Sequence, residues 1–294
     1  MLLEILFLSL TASCSRISDK ENLSLKKSCG VRTLGSSQPF KILGGEAIKP
    51  NEYPWMVKLK IDRNDMGQRA IAYCSGSLIS SRHILTAAHC VMSVHKKKMS
   101  LNCMPRYKTA HVKPQNVSAY VGTKCAPPER CQRPHQISEI HVHKKFDYCS
   151  KNSQHDLAIL ELKNDVTNKE AAPICLPSAD LALAKEVQIA GSGIGSESGQ
   201  NMLKVATLKF VERGRDRRTI RGKSKTASGC LGDSGGPLFQ LAKNGKYALV
   251  GVYSGPSVKT KNGCGILNEW NIYSDVRRHL KWICKLTGVC SLRK

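Results

Sequence analysis

The chain has 294 residues, of which 46 are lysine or arginine and 22 are aspartate or glutamate, so its formal net charge is +24. This length is sufficient for a buried core, either as one large all-β unit or as two smaller lobes. The composition argues against a long disordered tail, and beyond the first residues no stretch is apolar for long enough to cross a bilayer.

The N-terminus carries a short apolar run, LLEILFLSL at 2–10, followed by three small residues at 11–13. This pattern favours a cleaved secretory signal over residues 1–14, and therefore a secreted, extracellular protein. Glu4 interrupts the run and no positive charge precedes it. A buried or interfacial segment is therefore the alternative.

The 13 cysteines also favour export, because disulfides explain so many thiols more simply than a cytosolic metal site does. Cleavage after Cys14 would leave an even number. The sequence contains no CxxC pair near His141 and His143, so we predict no metal site. The triplets NLS and NVS are glycosylation sequons at Asn22 and Asn116.

The middle of the chain contains many short strand patterns separated by turn residues, which is typical of an antiparallel sandwich or barrel. A firm helix is predicted only at the C-terminus. Asp275 is a good N-cap there, and apolar residues recur at helical spacing from Val276 to Leu286, before Gly288. The strand patterns, in chain order, are WMVKLKI, SGSLIS, HILTAA, SAYVG, ISEIHVH, LAILEL, VQIAG, KVATLKFV, ALVGVYS and NIYSDV.

Much of the positive charge lies in two runs, HKKK at 95–98 and RGRDRRTIRGKSK at 213–225. These runs make polyanions such as a proteoglycan candidate partners. A solvated, flexible surface loop is the competing interpretation. Neither run is interleaved with aromatic residues in the manner of a protein that binds single-stranded nucleic acid.

Glycines surround Ser234 in the segment GCLGDSGGPLF at 229–239. They allow the amides of Gly232 and Ser234 to point together at a developing negative oxygen, as in an oxyanion hole. A nucleophilic serine also needs a base and an orienting carboxylate. His89 in LTAAHC and Asp156 in HDLAILEL are the candidates, and their order in the chain is that of the template triad. Singly, each motif is also compatible with a turn, a structural histidine or a strand cap.

These segments, together with ILGGEAIKPNEYPWMV at 42–57, CSGSLIS at 74–80 and IYSDV at 272–276, resemble the trypsin and chymotrypsin family of serine peptidases over residues 42–286. The resemblance implies an all-β fold of two perpendicular six-stranded antiparallel β-barrels with a C-terminal α-helix. It also implies that protein or peptide substrates are hydrolysed through an acyl-enzyme on Ser234.

The same resemblance implies a zymogen, with a propeptide at 15–41 and a peptidase domain at 42–294. An activating peptidase would cut after Lys41. The new ammonium group of Ile42 would then pair with Asp233, and this buried ion pair would order the oxyanion hole.

Three disulfides are also implied by the resemblance. The pair of Cys74 with Cys90 would clamp the histidine loop, and the pair of Cys230 with Cys264 would brace the pocket beside the nucleophile. The pair of Cys29 with Cys175 would tether the propeptide. Six other cysteines lie outside the family pattern, and a guess from local closure pairs Cys125 with Cys131, Cys284 with Cys290 and Cys103 with Cys149.

The specificity pocket departs from the family pattern. Ser228 occupies the floor, where a trypsin-like enzyme would carry an aspartate, so a preference for Arg or Lys is not supported and apolar side chains are favoured. Ser254, Gly255 and Pro256 form the wall; Gly255 removes an aromatic side chain and Pro256 lacks an amide hydrogen. Asn271 replaces a glycine that keeps the pocket open, which predicts a shallow cavity.

Three functions are compatible with these features. The first is a secreted serine endopeptidase made as a zymogen. The second is a non-catalytic homologue that binds a polyanion or a protein partner through its basic surface. The third is a specialised hydrolase of esters or other acyl groups that uses the same chemistry. None of them requires a cofactor, and a monomer is the default expectation.

Overall fold

The protein is described from a computed structural model. The part of the chain that this structure describes comprises residues 15–32, 41–42, 45–47, 51–65, 68–93, 110–122, 128–147, 154–191, 193 and 203–291. The predicted signal segment, the basic run at 95–98 and Cys103, Cys125 and Cys149 lie outside these residues. Within the described ranges, no helix is long and apolar enough to span a membrane.

Six antiparallel strands close into a barrel in the first half of the chain. Their bounds, in the order in which they pair around the barrel, are β10 Ala158–Leu162, β5 His83–Thr86, β4 Gln68–Leu78, β3 Met56–Asp65, β8 Val117–Val121 and β9 His135–Val142. Val57, Leu59 and Ile61 alternate along β3 and have no exposed surface. Alternate side chains of a strand share one face, so these residues fill the barrel.

The second half of the chain forms a curled sheet of nine antiparallel strands. From edge to edge these are β1 Lys41–Ile42, β2 Gly45–Ala47, β12 Lys204–Leu208, β11 Val187–Gly191, β15 Pro237–Leu241, β16 Tyr247–Pro256, β17 Asn271–Asp275, β14 Thr219–Lys223 and β13 Phe210–Arg213. A Cβ on Gly222 of β14 would lie 2.6 Å from Leu208 Cδ1 of β12, so the sheet curls back on itself.

The predicted all-β architecture with a C-terminal helix is confirmed, with one difference in detail. The first unit is a closed six-stranded barrel, whereas the second is open, because its edge strands β1 and β13 are not paired with each other. The basic run at 213–225 lies largely on the β13–β14 hairpin. A flexible surface loop was one of the two interpretations of this run from the sequence. A separate two-stranded ribbon joins β6 Met92–Ser93 to β7 Ala110–His111.

Helices are few and short among the described residues. The α-helices are α1 Asp19–Ser28, α2 Ala88–Val91 and α3 Leu280–Thr287, and single 3-10 turns span Pro114–Asn116, Pro128–Arg130 and Val276–Arg278. Asp275 caps the last of these turns by accepting a hydrogen bond from the Arg277 amide. Gly288 ends α3 in the left-handed conformation, with φ at 74°. The predicted C-terminal helix and its end at Gly288 are therefore confirmed, whereas its predicted start is wrong: Asp275 caps the 3-10 turn, and α3 begins at Leu280, after His279.

The N-terminal helix α1 was not predicted, because the sequence indicated a firm helix only at the C-terminus. Ser18 and Glu21 form a reciprocal capping box at its start. At its end, the ammonium group of Lys246 donates to the carbonyl oxygens of Lys26 and Lys27, at 2.8 and 2.6 Å. These contacts fix the helix against the body of the protein.

Four disulfides join described cysteines. The three pairs implied by the family resemblance, 29–175, 74–90 and 230–264, are confirmed, and so is the guess that pairs Cys284 with Cys290. Cys131 is also disulfide-bonded. Its proposed partner, Cys125, lies outside the described residues, so that pairing stays a prediction.

An aromatic cluster joins the barrel to the curled sheet. Tyr53 and Trp55 precede β3, and their rings meet Phe239 of β15 edge-on, with centroids 5.5 and 5.7 Å apart. Tyr247 of β16 packs on the same group. Each such pair contributes about 0.5–1.5 kcal/mol beyond its buried area. The cluster thereby fixes the segment before β15, which contains Ser234, against the barrel.

Candidate active site

The barrel supplies a paired histidine and aspartate. His89 lies in α2, directly after β5, and Asp156 lies two residues before β10, which pairs with β5. The His89 Nδ1 atom is 2.7 Å from Asp156 Oδ2, and the His89 amide donates to Asp156 Oδ1 at 2.9 Å. Two hydrogen bonds from one residue fix both carboxylate oxygens, so the imidazole is held in one orientation with Nε2 left for substrate chemistry.

Asp156 is buried and fully surrounded by hydrogen-bond donors. The Ser254 hydroxyl donates to Asp156 Oδ2, and the Ser274 hydroxyl donates to the Asp156 carbonyl oxygen at 3.3 Å. Burial acts to raise the pKa of the Asp156 carboxyl, but the charge of His89 and the hydrogen bonds from His89 and Ser254 outweigh it. The pKa of Asp156 is therefore lowered, and the group is a carboxylate at neutral pH.

Ser234 lies on the segment before β15, against the same part of the barrel. Its carbonyl oxygen accepts a hydrogen bond from the Ser75 amide at 2.7 Å. Gly235 has φ at +80°, and a Cβ there would lie 3.0 Å from the Ala87 amide nitrogen and still closer to Thr86 and Ser75. Only a glycine fits this close approach, which brings Ser234 beside the chain that leads into His89.

Ser234 and His89 are neighbours but are not hydrogen-bonded. The Cys90 Sγ atom is 3.6 Å from the Ser234 carbonyl oxygen and 4.0 Å from His89 Nε2, so both residues lie close to it. Among the hydrogen bonds of the described residues, none joins the Ser234 hydroxyl to the imidazole. Of the predicted triad, His89 and Asp156 are therefore hydrogen-bonded to each other, and Ser234 lies near them without a hydrogen bond to His89.

A sequence profile described as Trypsin matches residues 42–283, which is most of the chain. This chain belongs to the trypsin family. The family assignment agrees with the closed barrel, the curled sheet and the His89–Asp156 pair described above.

Curated relatives of this trypsin-family chain include three insect proteins. Phenoloxidase-activating factor 3 of Holotrichia diomphalia is 30% identical over 272 residues, covering 85% of this chain and 73% of that protein. CLIP domain-containing serine protease B10 of Anopheles gambiae is 29% identical over 276 residues, covering 87% and 71%. CLIP domain-containing serine protease B15 of the same organism is 25% identical over 284 residues, again covering 87% and 71%.

The two amides predicted to form the oxyanion hole have no partner among the residues that the structure describes. Neither the Gly232 amide nor the Ser234 amide donates to a described group. The Gly232 carbonyl oxygen, in contrast, accepts a hydrogen bond from the buried Ser75 hydroxyl at 2.9 Å. Amides without a partner next to a candidate nucleophile are suited to bind an oxyanion.

Asp233 is satisfied by backbone amides in the uncut chain. Its Oδ1 atom accepts from the Gly193 amide at 2.6 Å, and its Oδ2 atom accepts from the Cys230 amide at 2.8 Å. A Cβ on Gly193 would lie 2.6 Å from this carboxylate, so the close approach requires a glycine. Burial raises the pKa of the Asp233 carboxyl, although both amides and the charge of Lys204 act in the opposite direction.

The proposed activation bond lies at the edge of the curled sheet. Lys41 and Ile42 form β1, which pairs with β2 through Ile42 and Gly45. Strand β2 pairs in turn with β12. The peptide bond between Lys41 and Ile42 is therefore part of a hairpin. In this uncut form the partners of Asp233 are backbone amides and not Ile42.

The predicted specificity pocket is filled by its own residues. The buried Asn271 side chain accepts hydrogen bonds through Oδ1 from the Ser228 hydroxyl, the Gly229 amide and the Tyr253 hydroxyl, at 3.2, 3.2 and 3.1 Å. Gly265 closes over the same place, since a Cβ there would lie 2.8 Å from Pro256 Cβ and closer still to the Ser228 hydroxyl. This contact network supports the predicted shallow cavity.

The three wall residues behave differently from one another. Pro256 pairs with Asn271 in the β16–β17 ladder. A Cβ on Gly255 would meet nothing within 4 Å, so the missing aromatic wall leaves open space. The Ser254 hydroxyl bonds Asp156, a contact that was not predicted, and the place of Ser254 in the pocket wall stays a prediction. Sequence reasoning missed this role, as it missed Ser274, because no local motif marks a contact across about a hundred residues.

The two predicted glycosylation sites have different environments. Asn116 is exposed in a 3-10 turn, so modification there stays a prediction. Asn22 is buried in α1, where its amide nitrogen donates to the Cys290 carbonyl and its oxygen accepts from the Cys290 amide, both at 3.3 Å. A sugar on that nitrogen would break this contact, which argues against glycosylation of Asn22 in the folded chain.

Proposed function

We propose that the chain is a secreted serine endopeptidase, made as a zymogen and activated by cleavage after Lys41. The observation that carries this proposal is the pair formed by half-buried His89 and buried Asp156, with Nδ1 and Oδ2 2.7 Å apart, beside a serine whose neighbouring amides have no described partner. A purely structural histidine would not require a buried carboxylate with three separate hydrogen bonds at this place.

In the proposed mechanism, the Ser234 hydroxyl attacks the carbonyl carbon of the scissile bond while His89 Nε2 accepts its proton. The amides of Gly232 and Ser234 stabilise the negative oxygen of the tetrahedral intermediate. Protonated His89, stabilised by Asp156, gives the proton to the leaving amine, which leaves an acyl-enzyme. Water activated by His89 then hydrolyses the ester and restores Ser234.

Activation would change the partner of Asp233. In the uncut chain its carboxylate accepts from the amides of Cys230 and Gly193. Cleavage after Lys41 frees the Ile42 ammonium, a better partner for a buried carboxylate than neutral amides are. Because Asp233 directly precedes Ser234, its movement would bring the serine hydroxyl within hydrogen-bonding range of the His89 imidazole. This step accounts for the missing Ser234–His89 hydrogen bond.

We further propose that substrates are not selected for Arg or Lys next to the cleaved bond. Ser228 is neutral and its hydroxyl is bonded to Asn271, so a substrate cation would be desolvated there without a counterion. A short apolar side chain suits the filled pocket better.

A second candidate is a non-catalytic homologue that binds a partner. The filled pocket favours it, because Asn271, Gly265 and Pro256 leave little room for a substrate side chain. The β13–β14 hairpin supports a polyanion as that partner: Arg213, Arg215, Arg217 and Arg218 are exposed, and none forms an ion pair with a described residue. A polyanion site is also compatible with the active enzyme.

A digest of a peptide library by the cleaved protein tests these proposals, with Ser234→Ala as the control. Cleavage beside small apolar residues, abolished by Ser234→Ala, is the expected result. A dominant preference for Arg or Lys would overturn the specificity proposal. Absence of any Ser234-dependent cleavage, in folded protein that begins at Ile42, would favour the non-catalytic candidate.

A further inference from the structure

Three histidines from three separate elements meet near the outer end of the barrel. His143 follows β9, His155 precedes β10, and His279 directly precedes α3. One ring nitrogen from each lies within 4.8 Å of the other two. His143 and His155 are half-buried and His279 is buried, so the group is accessible to solvent from one side.

A hydrogen bond joins the rings of His155 and His279, whereas the His143 ring stacks on His155 with 3° between the ring planes and its Nδ1 atom accepts from the Lys145 amide at 3.3 Å. His279 Nδ1 donates to the Asp275 carbonyl oxygen at 2.8 Å, so its Nε2 carries a lone pair. His155 Nδ1 lies 3.0 Å from that Nε2 atom. A histidine that ligates a metal commonly donates its other N–H to a backbone carbonyl, as His279 does.

Although the sequence predicted no metal site, we propose that His143, His155 and His279 bind a zinc ion through one nitrogen each, with water as the fourth ligand. Zinc–nitrogen bonds of about 2.0–2.1 Å in a tetrahedron require nitrogen atoms about 3.3 Å apart. The His155–His279 pair is within a few tenths of an ångström of this spacing, and the third nitrogen needs a side-chain rotation. Three imidazoles favour zinc over calcium or magnesium, which prefer oxygen ligands.

The protonation states fit this role. Burial, followed by the charges of His279 and His155, lowers the pKa of His143 to about 4. Burial likewise lowers the pKa of His155 and of His279, so all three rings are neutral at pH 7, as ligands must be. When zinc binds between the rings, the proton of His155 moves from Nδ1 to Nε2, because a ligating nitrogen needs its lone pair.

The charged neighbours set the limit on zinc affinity. Lys145 and Arg218 act on these rings as positive charges, whereas Asp216 and Asp275 oppose them. The Asp275 carboxylate is already paired with Arg277 in the interior. The site therefore has no carboxylate ligand of its own, which makes it a neutral three-nitrogen site.

Zinc at this position would tie the segments that flank residues 143 and 155 to the start of the C-terminal helix. His155 also directly precedes Asp156, so the ion would fix the residue next to the catalytic carboxylate. Because the folded chain binds zinc through a geometry that the unfolded chain lacks, zinc should raise the thermal stability of the protein.

The test is a zinc titration of the intact chain by calorimetry, without reductant, because free thiolates would bind zinc themselves. We expect one zinc ion per chain and at least ~10-fold weaker binding in His143→Asn and in His155→Asn. At a zinc concentration about 100 times Kd, Tm should rise by about 5 °C in the wild type and not in these variants. Cobalt should give the visible spectrum of a tetrahedral site.

The matched control is His141→Asn. His141 belongs to a second group, with Glu139 and Glu161, whose ligand atoms also lie within 4.8 Å of one another. This variant should bind zinc as the wild type does. Loss of zinc binding in His141→Asn alone, unchanged binding in both cluster variants, or no zinc binding by the folded wild type would each overturn the proposal. Circular dichroism without zinc checks that each variant is folded.

Discussion

Asn271 Oδ1 lies 3.2 Å from the hydroxyl oxygen of Ser228 and accepts its hydrogen bond. The floor of the predicted specificity pocket is therefore bonded to a side chain of β17, the strand that pairs with β16. The same oxygen serves the Gly229 amide and the Tyr253 hydroxyl, so three donors depend on one side chain. If the proposed pocket binds substrate, we expect Asn271 to couple substrate choice to local stability.

Replacing Asn271 by glycine should open the pocket. We expect kcat/KM for peptides with a large apolar residue at the cleaved bond to rise about 10- to 100-fold, the value of burying such a side chain. The variant should also lose unfolding free energy, about 1–3 kcal/mol for each buried donor that stays without an acceptor. The control is Asn244→Gly in an exposed turn. A variant with lower stability and no gain in kcat/KM would contradict this interpretation of the pocket.

Replacing Asp156 by asparagine should remove most activity from the cleaved enzyme. The neutral amide would favour the imidazole tautomer with its proton on Nε2, which cannot accept the proton of Ser234. The expected loss in kcat is about 10⁴-fold, measured on a small ester or peptide substrate. The exposed Asp165, which bonds Ser81 and Arg82, offers a matched control as Asp165→Asn. A loss of less than tenfold for Asp156→Asn would rule out its orienting role.

The buried His83 predicts a loss of stability in mild acid. Its Nδ1 atom is 2.8 Å from the Ser80 hydroxyl, and burial lowers its pKa from 6.5 to about 4. A depressed pKa contributes stability that is fully present above pH 6.5 and is lost as the pH falls towards 4. This shift corresponds to about 3 kcal/mol.

Denaturant unfolding at several pH values checks this expectation. The stability advantage of the wild type over His83→Asn should shrink by about 3 kcal/mol between pH 6.5 and 4. The exposed His111 provides a surface comparison, as His111→Asn. A constant advantage over His83→Asn would show that His83 is not the group responsible.

The arginine-rich hairpin predicts salt-sensitive binding to an immobilised polyanion. Neutralising Arg213, Arg215, Arg217 and Arg218 to glutamine should shift elution to lower salt and reduce the salt dependence by about one counterion per lost contact. A control that removes the same charge from other exposed sites replaces Lys259, Lys261, Lys281 and Lys285. Equal shifts in the two variants would indicate that net charge alone, and not this hairpin, retains the protein.

The parts of the site that sequence could predict are those marked by local motifs. His89, Asp156 and Ser234 each lie in a short segment whose residue types are set by backbone geometry, as the close approach of Gly235 to Ala87 illustrates. The end of the C-terminal helix was predictable for a similar reason, since Gly288 closes α3, whereas Asp275 caps the 3-10 turn that precedes the helix. Each of these motifs lies within one short stretch of the chain, so it can be recognised from the sequence alone.

Features that depend on distant contacts were missed. Helix α1 has little amphipathic character, and its stability depends on contacts with Lys246 and Cys290, far along the chain. The Ser18–Glu21 capping box was the one available signal, and it was overlooked. His155 and His279 are 124 residues apart, so no spacing rule could join them. The bond of Ser254 to Asp156 is hidden for the same reason.

The most direct test of the proposed chemistry is labelling of Ser234 by a fluorophosphonate before and after cleavage at Lys41. Mass spectrometry identifies the labelled residue, and N-terminal sequencing confirms that the cut chain begins at Ile42. We expect rapid labelling of Ser234 in the cleaved protein, at least ~100-fold slower labelling of the uncut chain, and none in Ser234→Ala. Folded, correctly cleaved protein that does not label would contradict the account.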